Sequence, residues 1–269
     1  MSYHGAARLA VELYLGVLVM KRSFWAKLFS LIFVFGSWEV IGHFANPFTF
    51  PTFSKVVFAF IELLSSSELS EALSVSVKGL VLGFIVVVLL GLVIGSVMAY
   101  TRFIGRIIDV YVTILLAAPI AALIPILIIA FGLGLTTKVM VIVLMGISVM
   151  AINTMYGLRS ADNTLLEMAY SFGATSRQTF FKIVIPCSLP MLMAGVRMGF
   201  AQCFVGMITA ELLVVSEGLG KLLTDFSANF KAASLFATVL LLMFIGSGVI
   251  SLLQVIETHL FKWKPKTIR

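Results

Sequence analysis

Glu39, Arg197 and Glu211 are the residues of this chain whose type and setting invite chemistry, because each interrupts a long apolar stretch. A charge at the centre of a bilayer costs ~2.5–3.5 kcal/mol on insertion scales, so such groups face protein or water and mark a solute path, a gate or a structural pair. Arg197 and Glu211 fall on one predicted helix but fourteen residues apart, roughly 21 Å along it, too far to neutralise each other. Arg197, eleven residues beyond Pro186, could meet an anionic solute in transit. Snorkelling to the surface, or pairing with a carbonyl, would satisfy it equally well. Glu211 lies near the outer end of that helix, where a gate is expected. Asn153, Thr154 and Gln202 add neutral hydrogen-bonding groups, a kind that also holds helices together at under about 1 kcal/mol each.

Other chemistry is missing. Gly218-Leu219-Gly220-Lys221 lacks the length and the following Ser or Thr of a phosphate-cradling loop, so this chain is not expected to hydrolyse ATP itself. No Ser, His and Asp arrangement marks a nucleophile, and no catalytic residue is expected. His4, His43 and His259 are scattered away from Cys187 and Cys203, which argues against a metal site. The two cysteines are sixteen residues apart on one predicted helix, roughly 24 Å, and cannot bond to each other within the subunit.

The elements that must position these residues are membrane spans. Of 269 residues, 61% are hydrophobic and 12% charged, against roughly 25% charged in a soluble domain. The chain therefore reads as an all-α polytopic membrane protein, and its net charge of +7 as a question of topology rather than of nucleic acid. Six transmembrane helices are predicted: Leu28 to Phe44, Gly79 to Tyr100, Ile107 to Phe131, Val139 to Leu158, Leu189 to Val215 and Ala232 to Ile256. The third carries Pro119 and Pro125. Such breaks free carbonyls that are tolerated in a membrane only inside protein or along a cavity, which makes this span a candidate for the translocation path or a packing kink. Gly83, Gly91 and Gly95 in the second span permit close helix approach.

The connections have their own signals. The apolar run Val11 to Met20 has basic flanks and no cleavage pattern, and is too short to span ~30 Å, so residues 1–27 read as a cytoplasmic, interfacial elbow. Val57, Phe60, Ile61 and Leu64 share one helical face, which fits a short helix on the bilayer surface or against other spans. Residues 28–261 form the transmembrane domain, with a cytoplasmic loop at 159–188, and residues 262–269 a basic tail. With the N-terminus inside, the inner segments hold thirteen basic residues and the outer segments five, counting Lys138 among the outer ones. The positive-inside rule then puts both termini and the Thr164 to Pro186 stretch in the cytoplasm.

That stretch is studded with polar residues. Thr164 with Glu167, and Thr175 with Gln178, have the spacing of capping boxes; Gly173 offers a left-handed stop, and Pro186 is expected to end the second helix. Spacing alone allows a plain connector. Glu167, Ala169, Gly173, Ile183, Ile185 and Pro186 together resemble the E-A-A, G, I-x-L-P signature of ABC importer permeases, with Met168 where a second alanine is usual and Ile185 where leucine is. The similarity covers Pro51 to Glu257 and is nearest to the nitrate, sulfonate and taurine importer group.

The resemblance implies a type I ABC importer permease in a bacterial-type inner membrane. Glu167, Met168, Ala169, Tyr170, Phe172, Gly173 and Ala174 would form the helix that couples to an ATPase, supported by Ile183, Ile185 and Pro186. It implies two ATPase subunits holding ATP and Mg, an extracytoplasmic solute-binding protein, and a second permease subunit, expected to be identical. The expected solute is a small anion such as a sulfonate, taurine or nitrate, crossing near Pro119, Pro125, Asn153, Arg197, Gln202 and Glu211. A secondary transporter or channel driven by an ion gradient is the alternative, although no inverted repeat is evident.

Overall fold

A computed structural model describes residues 25–26, 29–46, 48–214 and 217–260. The expected elbow from Val11 to Met20 and the basic tail lie outside the described residues. Among those described, the chain is helical and contains no strand.

The order begins with a short apolar helix α1 (Phe29–Phe44), then α2 (Phe53–Leu64), α3 (Ser67–Tyr100), α4 (Arg102–Ala117), α5 (Ile120–Phe131) and α6 (Leu135–Leu158). A hairpin of α7 (Asn163–Ser171) and α8 (Ser176–Thr179) leads through a π-turn, Phe180–Val184, into α9 (Ile185–Leu213), followed by α10 (Gly218–Ala228) and α11 (Ala232–Leu260). Four helices are long and apolar enough to cross a membrane: α3, α6, the continuous rod Ser176–Leu213, and α11. The expected third span is instead the pair α4 and α5, bent by 101°. The first corresponds to α1, which is shorter than a full span.

The core is α3, α6 and α9, with α6 in the middle. Along α3 the buried positions include Gly79, Gly83, Val87, Gly91, Gly95 and Met98, a row at helical spacing. The absent side chains let α6 come close. A Cβ at Gly83 or Gly91 would collide with Ile142 or Met150, and one at Gly95 with the Ala151 carbonyl and Thr154. The opposite side of α6 meets α9 in the same way, with Gly195 against Asn153 and Gly206 against Met145. This is the close, small-residue packing by which helices associate where lipid removes the hydrophobic incentive.

Local signals explain the remaining boundaries. Ser66 caps α3, its hydroxyl accepting from the Leu69 N–H at 3.3 Å, so the helix starts twelve residues before the predicted span and projects from it. Pro119 forces Ala118 into extended backbone, ψ 137°, and there α4 stops. Pro125, by contrast, lies inside α5 without ending it. The amphipathic segment does form α2, with Val57, Ile61 and Leu64 exposed and the Phe60 ring 6.1 Å from that of Phe244 on α11. Trp38 ties α1 to the segment that follows it and to α11. Its indole donates to the Pro51 carbonyl at 3.1 Å and its ring packs on Phe53 and Phe236.

Candidate functional site

The α7–α8 hairpin is built by its end signals, though not all of those expected. α7 begins one residue before Thr164, because Asp162 provides the cap, its carboxylate accepting from the Thr164 N–H at 2.8 Å. An aspartate there also sits favourably at the positive end of the helix dipole. The Thr164–Glu167 box is therefore not used, and the Glu167 side chain is left exposed. At the other end Gly173 takes φ +76°, the Ala174 N–H reaches the Ala169 carbonyl at 3.0 Å, and the Gly173 N–H reaches Tyr170 at 2.9 Å. These two bonds are the Schellman closure that a left-handed glycine makes possible.

The second limb carries the expected box. The Thr175 hydroxyl accepts from the Gln178 N–H at 3.3 Å, and the Gln178 carbonyl oxygen accepts from the Thr175 N–H at 2.8 Å. Pro186 does not end this limb, contrary to expectation. The Ile185 N–H bonds to the Phe180 carbonyl five residues back, and this widened turn takes up the register that the proline ring would otherwise disturb. Ile183, Ile185 and Pro186 are half-buried along the joint.

The hairpin presents a surface of mixed character. Phe172 is 86% exposed, with Tyr170 and Met168 more than a third exposed. Ala169 is buried and Ala174 half-buried. Phe172, Gly173, Ala174, Gln178, Thr179, Lys182 and Ile183 enclose a recess of about 290 Å³ between them.

Glu39, Arg197 and Glu211 each have a partner. Glu211 is buried, and its carboxylate accepts from the ammonium of Lys138, from the Ser76 hydroxyl at 2.7 Å and from the Gly220 N–H at 2.9 Å. Lys138 also donates to the Val75 carbonyl at 3.1 Å, while Ser76 accepts from the Leu219 N–H at 2.9 Å. One polar knot thus ties α3, α6 and α9 to the first turn of α10. There the carboxylate faces a helix N-terminus. Gly218 and Gly220 leave no space for a Cβ beside it.

Arg197 pairs with Glu257 of α11 at 2.9 Å, and both side chains are partly buried. Glu39 accepts from the N–H and hydroxyl of Ser54, both at 2.9 Å, and so caps α2 from a neighbouring helix. Asn153 bonds back to the Val149 carbonyl at 2.8 Å, Gln202 is exposed on α9, and Pro119 forms the bend between α4 and α5. The residues expected along a path are therefore dispersed. Arg197, Gln202 and Glu211 follow α9, Asn153 faces Gly195, and the prolines belong to the broken helix.

Lys138, Ser76 and Glu257 were not foreseen. Lys138 looked like an outer-loop residue because an apolar run follows it; the signal was Gly134, which starts α6 early enough to bring Lys138 into its first turn. Arg159, one of the thirteen basic residues of the predicted inner segments, also holds two helices together. Its guanidinium donates to the Met98 carbonyl at 2.6 Å, closing the end of α3. No group of three potential ligands for a metal occurs among the described residues.

Comparison with known proteins identifies the arrangement. The model of the family described as "binding-protein-dependent transport system inner membrane component" matches residues 87–262, well over half of the chain. The putative aliphatic sulfonates transport permease protein SsuC of Bacillus subtilis is 29% identical over 247 residues, covering 91% of this chain and 90% of its own length. The formylaminopyrimidine transport permease protein ThiX of Halalkalibacterium halodurans is 28% identical, covering 92% and 100%. The riboflavin transport system permease protein RibX of Chloroflexus aurantiacus is 34% identical over 148 residues, 55% of each chain. Among solved structures, the MetNI methionine ABC transporter in an inward-facing conformation gives a TM-score of 0.56 at 19% identity, covering 74% of this chain and 94% of that one. An amino acid ABC transporter with histidines gives 0.57 at 15% identity, covering 78% and 96%. A multi-pass, all-helical chain with this match belongs to the binding-protein-dependent transport system inner membrane components, the permease subunits of ABC importers.

Proposed function

We propose that this permease moves a small organic anion of the sulfonate kind into the cytoplasm, with the α7–α8 hairpin as the surface that engages its ATPase. The observation that carries the hairpin assignment is its exposed face. Glu167, Met168, Tyr170, Phe172 and Gly173 are solvent-accessible, while capping at Asp162 and the Thr175 box, with a left-handed glycine between, hold the limbs in a fixed bend. A preformed apolar projection next to charged groups is the kind of knob that fits a groove on a partner. Ile183, Ile185 and Pro186 would carry its motion into α9.

The working unit in this reading has two copies of this chain, two ATPase subunits holding ATP and Mg, and an extracytoplasmic binding protein. The termini and the loop at 159–188 lie in the cytoplasm. The ATPases, by binding one state better than the other, would shift the permease between inward-open and outward-open forms. The sulfonate assignment rests on the SsuC relatives, and the names ThiX and RibX mark pyrimidine and flavin solutes as its competitors. Because Pro119, Pro125, Asn153 and Gln202 are dispersed in the single chain, a route along them would have to be completed by the second copy, with Glu211 holding its outer end.

The test is affinity purification of the tagged chain from its native membranes, with Glu167→Lys and Gly173→Pro variants in parallel. The wild type should bring an ATPase with it and take up a sulfonate only with ATP. Both variants should reach the membrane, retain less ATPase and lose uptake. A chain that comes alone and transports in vesicles without ATP would overturn the proposal.

A further inference from the structure

Resting on that assignment of the hairpin, we propose that the recess between its Phe172–Ala174 turn and its second limb is a socket for a carboxylate side chain of the partner ATPase. Two buried side-chain polar atoms among the described residues have no hydrogen-bond partner, and one of them is the hydroxyl of Thr179. Thr179 is 3% exposed and lines this recess. A buried hydroxyl without a partner carries a desolvation cost that a ligand would remove.

The other polar groups at the recess specify the ligand's chemistry. Gln178 spends its carbonyl oxygen on the Thr175 N–H and hydroxyl, which leaves its amide N–H groups to donate. Lys182 lines the same space, is exposed, and forms no ion pair among the described residues. The backbone N–H groups of Gly173 and Ala174 are already used in closing α7. Hydroxyl, amide N–H and ammonium are three kinds of donor with one positive charge and no competing carboxylate. They match an oxygen acceptor that is negatively charged. About 290 Å³ admits an Asp or Glu side chain. Its position beside Phe172, the most exposed large residue of the hairpin, makes the ATPase the source of that side chain. Phe172 would then enter the ATPase while the ATPase enters the hairpin, a two-way joint that resists sliding.

Thr179→Val separates this idea from a void of no consequence, because valine keeps the shape and removes only the hydroxyl. In the isolated permease the substitution should leave the melting temperature unchanged or raise it. In the assembled transporter, titrating purified ATPase subunit onto the permease in nanodiscs should show about tenfold weaker capture, the loss expected of one hydrogen bond to a charged group. Lys182→Glu should weaken capture further. An Asp or Glu to Lys change on the ATPase surface that restores capture to Lys182→Glu, but not to the wild type, would name the partner carboxylate. Normal capture by both Thr179→Val and Lys182→Glu, with Glu167→Lys still impaired, overturns the socket and leaves the hairpin assignment standing. If Glu167→Lys also captures normally, both fall. If capture by the wild type depends on added phosphate or acetate, the occupant is a free anion and the proposal is wrong.

Discussion

Glu211→Gln should be far more damaging than its modest change in size suggests. Lys138 is 3% exposed at its side chain and Glu211 fully buried. With glutamine at 211 the ammonium loses its charged partner: the amide oxygen can still accept from it, but the amide NH2 then faces the Gly220 N–H, donor to donor. Breaking a buried pair by removing one partner costs about 3–5 kcal/mol, which for a chain of this size lowers the melting temperature by about 6–20 °C. Lys138→Met should cost less. The Glu211 carboxylate would retain the Ser76 hydroxyl, the Gly220 N–H and the N-terminus of α10. The double variant Lys138→Met with Glu211→Gln removes both charges and should lie closer to the wild type than Glu211→Gln alone. Exchanging the two residues should not rescue, since a lysine at 211 would point its charge at the donor end of α10. The assay is thermal unfolding of the purified chain in one detergent, read by monodispersity as well as fluorescence. If Glu211→Gln proves milder than Lys138→Met, or the swap restores the wild-type melting point, the reasoning from uncompensated charge is wrong.

Three further outcomes follow from the packing. Gly95→Val should lower the yield of monodisperse protein by forcing α3 away from the Ala151 carbonyl, at a cost of about 1–3 kcal/mol or more, whereas Gly248→Ala, with nothing within 4 Å of its added Cβ, should be silent. Arg197→Gln and Glu257→Gln should destabilise to a similar degree and leave the half-saturating solute concentration unchanged; a rise confined to the Arg197 variant would mean that the arginine touches the solute. Glu39→Ala should speed amide exchange at the start of α2, around Ser54, without affecting α3, and unchanged exchange there would remove the capping role.

How much of this was legible in the sequence depends on the range of the signal. The all-helical class, the α2 amphipathic face, the Thr175 box and the left-handed Gly173 are local matters of spacing and backbone preference, and the structure has each of them. The signature around Glu167 led to the family that the comparisons then identified. What failed were local signals overridden by neighbours. Asp162 outcompeted Thr164 for the cap, and the π-turn let a helix run through Pro186. The ion pairs could not be read at all, because Lys138 and Glu211 lie 73 residues apart and Arg197 and Glu257 60. Hydropathy marks a charge as costly without saying which distant helix relieves the cost.

The run Ser176–Leu213 is 38 residues long, and its span from Thr179 to Glu211 is a rod of about 48 Å. One end sits in the hairpin recess and the other in the knot beneath α10. A straight lever of this length turns a tilt of about 10° into roughly 8 Å of travel at its tip. Yet the end beside α10 is clamped by buried charge and the middle is held tightly by α6. At the hairpin end the wide turn and Pro186 leave the ladder of backbone bonds weakest. The rod is thus gripped at its far end and along its middle, and its backbone ladder is loosest next to the hairpin.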